Sequence, residues 1–274
     1  MGEGSRPSAF LANVAAVILA GRKAVVTGGG RGIGAAIGRA LAAEGAAVLL
    51  AARTAADVEG LAKELRDGGA EAWGIACDVA DPEQVRALAA AARERFGHAD
   101  VLVNNAGIAT SAPLRSITLE TWNRVFAVNA TGTFLCTQAL LPGMLERGWG
   151  RVVNVASVAG RTAAAYIAAY AASKHAVVGF TRAVAAEVAA SGVTVNAVCP
   201  GYVDTGMTEE SVERIAAKTG RSREEALEGL RRQSPQRRLM QPEEVAYLVV
   251  ALCDERARGV NGQAIVLDGG ALLA

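Results

Sequence analysis

Lys23–Arg53 reads KAVVTGGGRGIGAAIGRALAAEGAAVLLAAR. Ala24–Thr27 is a short apolar run with the length of a buried strand. Gly28, Gly32 and Gly34 interrupt it, and an Ala-rich segment from about Ile33 to Glu44 follows and stops at Gly45. Alanine favours the helix and glycine ends it. Ala47–Ala51 is a second apolar run. Strand, glycine turn, helix, strand is a βαβ unit, the context that gives a glycine fingerprint its meaning. Glycine lets the turn tighten and the backbone approach a phosphate, while the helix N-terminus offers free N–H groups and a positive dipole end. The unit predicts a dinucleotide site on a parallel sheet.

The same alternation continues along the chain. DVEGLAKELRDGG (57–69) is an amphipathic helix ending at glycine, and EAWGIACDV (71–79) is a strand. DPEQVRALAAAARERFG (81–97) opens with an Asp cap and a Pro in the first turn, and ADVLVNNAG (99–107) is the fourth strand. TLETWNRVFAVNATGTFLCTQALLPGMLERG (118–148) is a long apolar helix containing Asn129. GRVVNVAS (150–157), GVTVNAVCPG (192–201) and GQAIVLDGG (262–270) are the remaining strands. Helix–strand alternation of this kind means a parallel sheet covered on both faces, with ligands at the carboxyl ends of its strands. Gly28–Gly34, Asp78, Asn104–Gly107 and Ser157 all fall at such ends.

NVASVAGRTAAAYIAAYAASK (154–174) holds the candidate chemistry. Tyr170 and Lys174 are four apart in an Ala-rich, helical segment, so both leave one face a turn apart. With Ser157 at a strand end, a phenol, an ammonium and a hydroxyl can meet at the rim of the sheet. A free tyrosine, with a pKa of about 10, is a poor base at neutral pH. A neighbouring cation favours the phenolate, which makes Tyr170 a candidate proton shuttle. Alone, Tyr-x-x-x-Lys is ordinary helix surface chemistry; the upstream glycine turn gives it weight. Asn129, taken by itself, is a satisfied or solvated amide.

The glycine spacing is T-G-x-x-x-G-x-G, and with the segments above it the chain, from about Gly21 to Gly270, resembles the classical short-chain dehydrogenase/reductase family. The resemblance implies a single-domain Rossmann-type α/β fold, a doubly wound parallel sheet of seven strands with helices on both faces. Residues 1–20 would be an N-terminal extension, 21–274 the catalytic domain and about 202–241 a substrate lid. It implies that Gly28, Gly30, Arg31, Gly32, Ile33 and Gly34 form the cofactor loop, and that Arg53, Asp78 and Val79 serve the adenosine end. Asn104, Asn105, Ala106 and Gly107 resemble an NNAG motif, and Pro200, Gly201, Val203 and Thr205 a stretch clasping the nicotinamide side. Asn129, Ser157, Tyr170 and Lys174 resemble the catalytic tetrad. Ser157 would polarise a carbonyl and Tyr170 exchange the proton. Lys174 would lower the Tyr170 pKa and bind the nicotinamide ribose. Asn129 would mark a helix break and hold a water that passes protons to Lys174.

Cofactor choice has a physical argument. NAD binders place an acid about twenty residues past the loop to hold the ribose hydroxyls. Here that position is Ala52, followed by Arg53, and Arg31 sits within the loop. Two cations and no acid suit a 2′-phosphate. At about 1.5–3 kcal/mol per charge-assisted bond, halved for an exposed rim, they give roughly tenfold to a hundredfold preference for NADP(H) over NAD(H).

The expected reaction is interconversion of a ketone and a secondary alcohol. The look of LPGMLERGWGRVVNVAS, SKHAVVGFT and VTVNAVCPG is similar to 3-oxoacyl-thioester reductases and polyketide ketoreductases. An oxidative dehydrogenase for a hydroxyacyl-CoA, cyclic or other secondary alcohol is the alternative. A non-catalytic dinucleotide sensor is a third, and intact Ser157, Tyr170 and Lys174 argue against it. Arg231, Arg232, Arg237 and Arg238 cluster after the excursion 202–241. A solvated face is the preferred account, and a contact for thioester pantetheine phosphates is the sharper one.

Composition bounds the rest. The chain has 274 residues, 51% hydrophobic and 20% charged, enough for a large core. Lys+Arg 28 against Asp+Glu 27 leaves a net charge of +1 with no basic stripe, which argues against a nucleic-acid partner. Cys77, Cys136, Cys199 and Cys253 show no metal spacing and read as buried thiols of a cytoplasmic protein. SAFLANVAAVILA (8–20) is too short to span a bilayer as a helix and is expected to pack on the body or a partner, with no membrane role. The 118–148 helix and the Tyr170 helix, expected to run to about Ala190, are apolar all round, which implies burial. Together with the resemblance, this suggests a homotetramer or homodimer.

Overall fold

Seven apolar runs become strands, and every neighbouring pair is parallel, in the order β3-β2-β1-β4-β5-β6-β7. They are β1 Lys23–Thr27, β2 Ala47–Ala52, β3 Ala72–Ala76, β4 Val101–Asn104, β5 Gly150–Val155, β6 Val193–Pro200 and β7 Ala264–Leu267. The computed structural model describes residues 17–272. Every residue of β5 and β6 is buried, as continuous apolar runs require when both faces of a sheet are covered.

Helices α1 Gly32–Ala43, α2 Ala55–Asp67 and α9 Pro242–Cys253 build one apolar layer on the sheet. The other is built by α3 Pro82–Phe96, α5 Gly132–Arg147 and α6 Ala168–Glu187. The α3 start is as read from sequence: Pro82 occupies the first turn, and the Asp81 carboxylate accepts from the N–H groups of Glu83 and Gln84. A carboxylate there satisfies orphan donors and meets the positive helix end.

The expected long helix of residues 118–148 is three pieces. α4 spans Leu119–Phe126, a π-helical turn follows over Ala127–Thr131, and α5 completes it. Asn129 sits inside that turn, at the expected break. This continuous run is long and apolar enough to cross a membrane by length and composition, and part of it is packed inside the protein. Residues 202–241 leave the sheet to form α7 Gly206–Thr219 and α8 Arg223–Arg231, which pack on each other through Val212, Ala226 and Leu230.

Three sequence expectations shift. The extension was bounded at residue 20, yet Leu19 is buried in the core and its N–H donates to the Glu44 carbonyl at 2.9 Å. The packed body thus reaches back before Gly21; the expected helical packing of the preceding residues lies outside those described. The Tyr170 helix starts only at Ala168 and ends at Glu187, with Ala163–Tyr166 non-helical. It is also not buried all round: His175, Ala176, Gly179 and Ala183 are exposed in the single chain.

Candidate active site

The strand order reverses between β1 and β4, and a crevice opens there at the carboxyl ends. The glycine turn fills its floor. A Cβ on Gly34 would lie 2.1 Å from the Gly28 carbonyl oxygen, so α1 can approach the turn only as glycine. Gly28 has φ of 64° and sits against Ala106, where a Cβ would be 2.9 Å from the neighbouring Cα. Gly32, at φ of 52°, faces the Thr205 methyl. The PG-x-x-x-T segment is thereby brought onto the glycine loop.

These close approaches leave backbone rather than side chains lining the start of α1, and no acid lies in its first turn. A pyrophosphate at a helix N-terminus needs that cradle, so the residues present fit a dinucleotide. Gly30 has another reason for being glycine: a Cβ there would meet the Asp57 side chain at 2.7 Å. Ile33 is half-buried, and Arg31, in the turn, and Arg53, just past β2, are exposed. Asp78 is held by the Arg124 guanidinium at 3.0 Å and caps Ala80 N–H at 3.0 Å. Burial raises its pKa, but the Ala80 N–H and Arg124 outweigh this and keep it below the ordinary carboxylate value. Val79 is buried against Gly132.

The turn is stapled to the segment after β4. The buried Thr27 hydroxyl accepts from Asn105 N–H at 3.1 Å and Ala106 N–H at 3.2 Å. The Asn105 amide donates to the Thr27 and Gly28 carbonyls at 3.0 and 3.1 Å. Thr27 and Asn105 stand in the T-G and NNAG motifs read from sequence, and their side chains join the two segments. Asn104 directs its amide into the core, donating to Thr137 at 3.0 Å and Asn154 at 2.8 Å. As the last residue of β4 it alternates inward, and only its backbone remains for the crevice.

Ser157 lies two residues beyond β5, where its hydroxyl accepts from Ala159 N–H at 3.1 Å and also reaches the Tyr170 phenol. Lys174 is 5% exposed, donates to the Val155 carbonyl at 2.8 Å, and lies 5.9 Å from the Tyr170 ring centroid. Gly107 faces both Asn129 and Lys174; a Cβ there would lie 3.4 Å from the Asn129 Oδ1 and 3.5 Å from the Lys174 Nζ. Asn129 clamps Ile108, accepting from its N–H at 2.8 Å and donating to its carbonyl at 2.9 Å. Asn129 also donates to Ser173 at 3.0 Å, and Ser173 in turn donates to the Tyr170 carbonyl at 2.7 Å. Ser173, which the motif did not single out, thereby links Asn129 to the backbone of Tyr170.

The electrostatics differ from expectation in one respect. Burial pushes the Tyr170 phenol above its ordinary value, and the Ser157 hydrogen bond opposes this without overcoming it. Lys174 does not reverse the balance. Its own ammonium is desolvated, which brings its pKa down to about 8. Pro200 ends β6 and Val203 is buried beyond it, bridged to Met240. Gly201 packs against Asp268, where a Cβ would meet that side chain at 3.0 Å. Of the four clustered arginines, Arg232 pairs with Glu228 at 3.1 Å and Arg238 with Glu244 at 2.6 Å. The cluster is therefore half neutralised, as a solvated face would be. The four cysteines are buried and unpaired, and no metal-type cluster occurs among the described residues.

A doubly wound sheet whose switch-point turn is built for pyrophosphate, with a phenol, hydroxyl and ammonium on the adjoining rim, defines a nicotinamide-nucleotide-dependent oxidoreductase. The family model described as short chain dehydrogenase matches residues 22–216, and the chain belongs to that family. It is 44% identical over 249 residues to a Streptomyces coelicolor protein provisionally named a ketoacyl reductase, covering 90% of this chain and 95% of the other. A D-beta-hydroxybutyrate dehydrogenase of Cupriavidus necator is 39% identical over 254 residues, covering 92% and 98%. A variant of the actinorhodin polyketide ketoreductase, crystallised with NADPH, superposes with a TM-score of 0.89 at 43% identity, covering 91% and 97%. The chain is thus an NAD(P)-dependent enzyme that interconverts ketones and secondary alcohols.

Proposed function

We propose that the chain is an NADP(H)-dependent reductase of 3-oxoacyl thioesters, in which Ser157, Tyr170, Lys174 and Asn129 carry the chemistry. The observation behind this reading is the hydroxyl–phenol–ammonium cluster at the mouth of a pyrophosphate-fitting turn flanked by Arg31 and Arg53. The nicotinamide supplies or accepts the hydride, a proton with two electrons, at the substrate carbon. Ser157 donates a hydrogen bond to the substrate oxygen and draws charge onto it. Tyr170 delivers its proton to that oxygen as the C–O double bond becomes single, and takes it back in oxidation. Lys174 holds the nicotinamide ribose and keeps a positive charge beside the phenol. Asn129 fixes the segment at Ile108 and, through Ser173, the carbonyl of Tyr170 itself.

Support for a thioester substrate comes from similarity to ketoacyl and polyketide ketoreductases. Residues 202–241 would be the substrate lid, since α7 and α8 stand off the sheet beside the crevice. Leu114, Tyr166, Tyr202 and Met207, exposed on the three segments bordering it, would offer apolar surface to an acyl chain. The similarity to a hydroxybutyrate dehydrogenase favours an oxidative reading as the second choice. The outward faces of α5 and α6 would meet a second copy, making the working enzyme a homodimer or homotetramer. Its expected compartment is the cytoplasm.

The test is a screen of acetoacetyl thioesters, cyclic ketones and secondary alcohols with both cofactors in both directions. NADPH oxidation that is fastest with a 3-oxoacyl thioester is the expected result. Faster alcohol oxidation with NAD points to the second reading, and tight NADPH binding without turnover on any substrate points to a sensor.

A further inference from the structure

A hydrogen bond ties the 202–241 excursion to the loop after β4. Lys218, in the last turn of α7, donates to the Ser111 carbonyl at 3.2 Å. Ser111 belongs to the loop that leaves β4 and runs through Ile108, the residue clamped by Asn129. The same loop is tied on its far side, where Ala112 N–H donates to the Tyr166 carbonyl at 2.8 Å. Tyr166 has a positive φ of 71°, uncommon for an aromatic residue and typical of backbone held under constraint next to a site.

On α7, Met207, Ser211, Arg214 and Lys218 fall on one stripe, since steps of three and four residues return to one helix face. Lys218 turns that stripe toward the Ser111 loop. Val212, Ile215 and Ala216 face α8 instead, and Glu209 and Glu213 lean to Arg223, at 3.7 and 3.8 Å. The stripe facing the loop therefore carries two cations, with Glu210 at its edge one turn before Arg214, and no ion pair to Arg214 or Lys218 occurs among the described residues. A lone carbonyl is a weak partner for an ammonium, and an anion entering the crevice would replace it with a charge-assisted bond.

We propose that Lys218, with Arg214 one turn before it, is a specificity-determining residue that reads an anionic group on the substrate, remote from the ketone. This rests on the ketone-reductase reading and narrows it to ketones bearing a carboxylate or a phosphate. Lys218 latches the 202–241 excursion to the Ser111 loop and would exchange that carbonyl for the anion of an arriving substrate, so that the excursion closes over substrates carrying the right charge. The anion is either the carboxylate of a free 3-oxo acid or the phosphate of a pantetheine thioester.

The test compares acetoacetate, acetoacetyl-phosphopantetheine and the uncharged N-acetylcysteamine thioester of acetoacetate, in wild type, Lys218→Met and Lys218→Arg. The ratio of kcat/KM for the anionic over the uncharged ketone is expected to fall about tenfold in Lys218→Met, mostly through KM, and to recover in Lys218→Arg. Raising the salt should erode the ratio in wild type and leave little to erode in Lys218→Met. A fall confined to the phosphopantetheine thioester assigns the anion as phosphate, and one confined to acetoacetate assigns it as carboxylate. An equal loss on all three substrates makes Lys218 a lid latch alone and overturns the proposal, as does an unchanged ratio. In both cases wild-type turnover of the uncharged thioester leaves the reductase reading standing. If wild type reduces none of the three, the reductase reading fails and takes this one with it.

Discussion

Tyr170 is held in its protonated form by burial, and this fixes the direction in which pH should act. In the proposed mechanism reduction uses the phenol as a donor, so its rate is expected to be level at neutral pH and to fall once Lys174, at about 8, loses its charge. Oxidation by the same route needs the phenolate beside a charged Lys174, so log kcat/KM for an alcohol should climb with a slope of about one up to about pH 8 and level off as Lys174 loses its charge. Opposed pH profiles for the two directions are the expected measurement; parallel profiles would remove Tyr170 from the proton path. Tyr170→Phe deletes the proton and leaves the turn intact. NADPH should still bind by fluorescence titration, while kcat falls by about a hundredfold to ten-thousandfold. Arg53→Asp puts an acid where a 2′-phosphate would sit, and the NADPH/NADH ratio of kcat/KM should drop by roughly tenfold or more. Retained NADPH preference in that variant would refute the two-arginine argument. Motif spacing pointed to Ser157, Tyr170 and Lys174 because the proposed chemistry calls for those residue types. Ser173 escaped because a serine inside a helix has many uses, and only its two hydrogen bonds reveal this one.

At the scale of elements, the first βαβ unit is over-determined. Alanine is a better helix former than glycine by about 1 kcal/mol, so Gly34→Ala would stabilise α1 in isolation. In the folded chain its Cβ collides with the Gly28 carbonyl, and the turn must open. NADPH affinity is expected to weaken more than tenfold, read by calorimetry, with overpacking costing about 1–3 kcal/mol in chemical denaturation. Unchanged affinity would mean the turn does not hold the pyrophosphate. The π turn at Ala127–Thr131 is a related device: an inserted residue re-aims Asn129 toward Ile108 and Ser173. Nothing in the apolar periodicity of residues 118–148 marks that insertion.

At the scale of the molecule, an apolar face stands outward among the described residues. Ala130, Thr131, Phe134, Ala176, Val177 and Phe180 line an outward apolar groove between the π turn, α5 and α6, and the two rings meet edge to face at 6.3 Å. A groove of this kind is a candidate subunit contact. If a second copy fills it, Phe134→Asp with Phe180→Glu should lower the mass seen by sedimentation equilibrium while leaving the far-UV circular dichroism unchanged. An unaltered mass would place the interface elsewhere. The substituted residues lie away from the crevice floor, so any change in kcat would report on assembly rather than on chemistry.

Local sequence was sufficient for the strands, the glycine turn and the Asp81 cap, and it named the candidate reacting side chains. Each is decided by short-range sterics, hydrogen-bond supply or the chemistry of one group. What needed the folded chain was every relation between segments far apart in sequence. The inward turn of the Asn104 amide, the staple from Thr27 to Asn105 and the reach of Lys218 to Ser111 are such relations. So is the upward shift of Tyr170, because desolvation is a property of what surrounds a group and not of its neighbours along the chain.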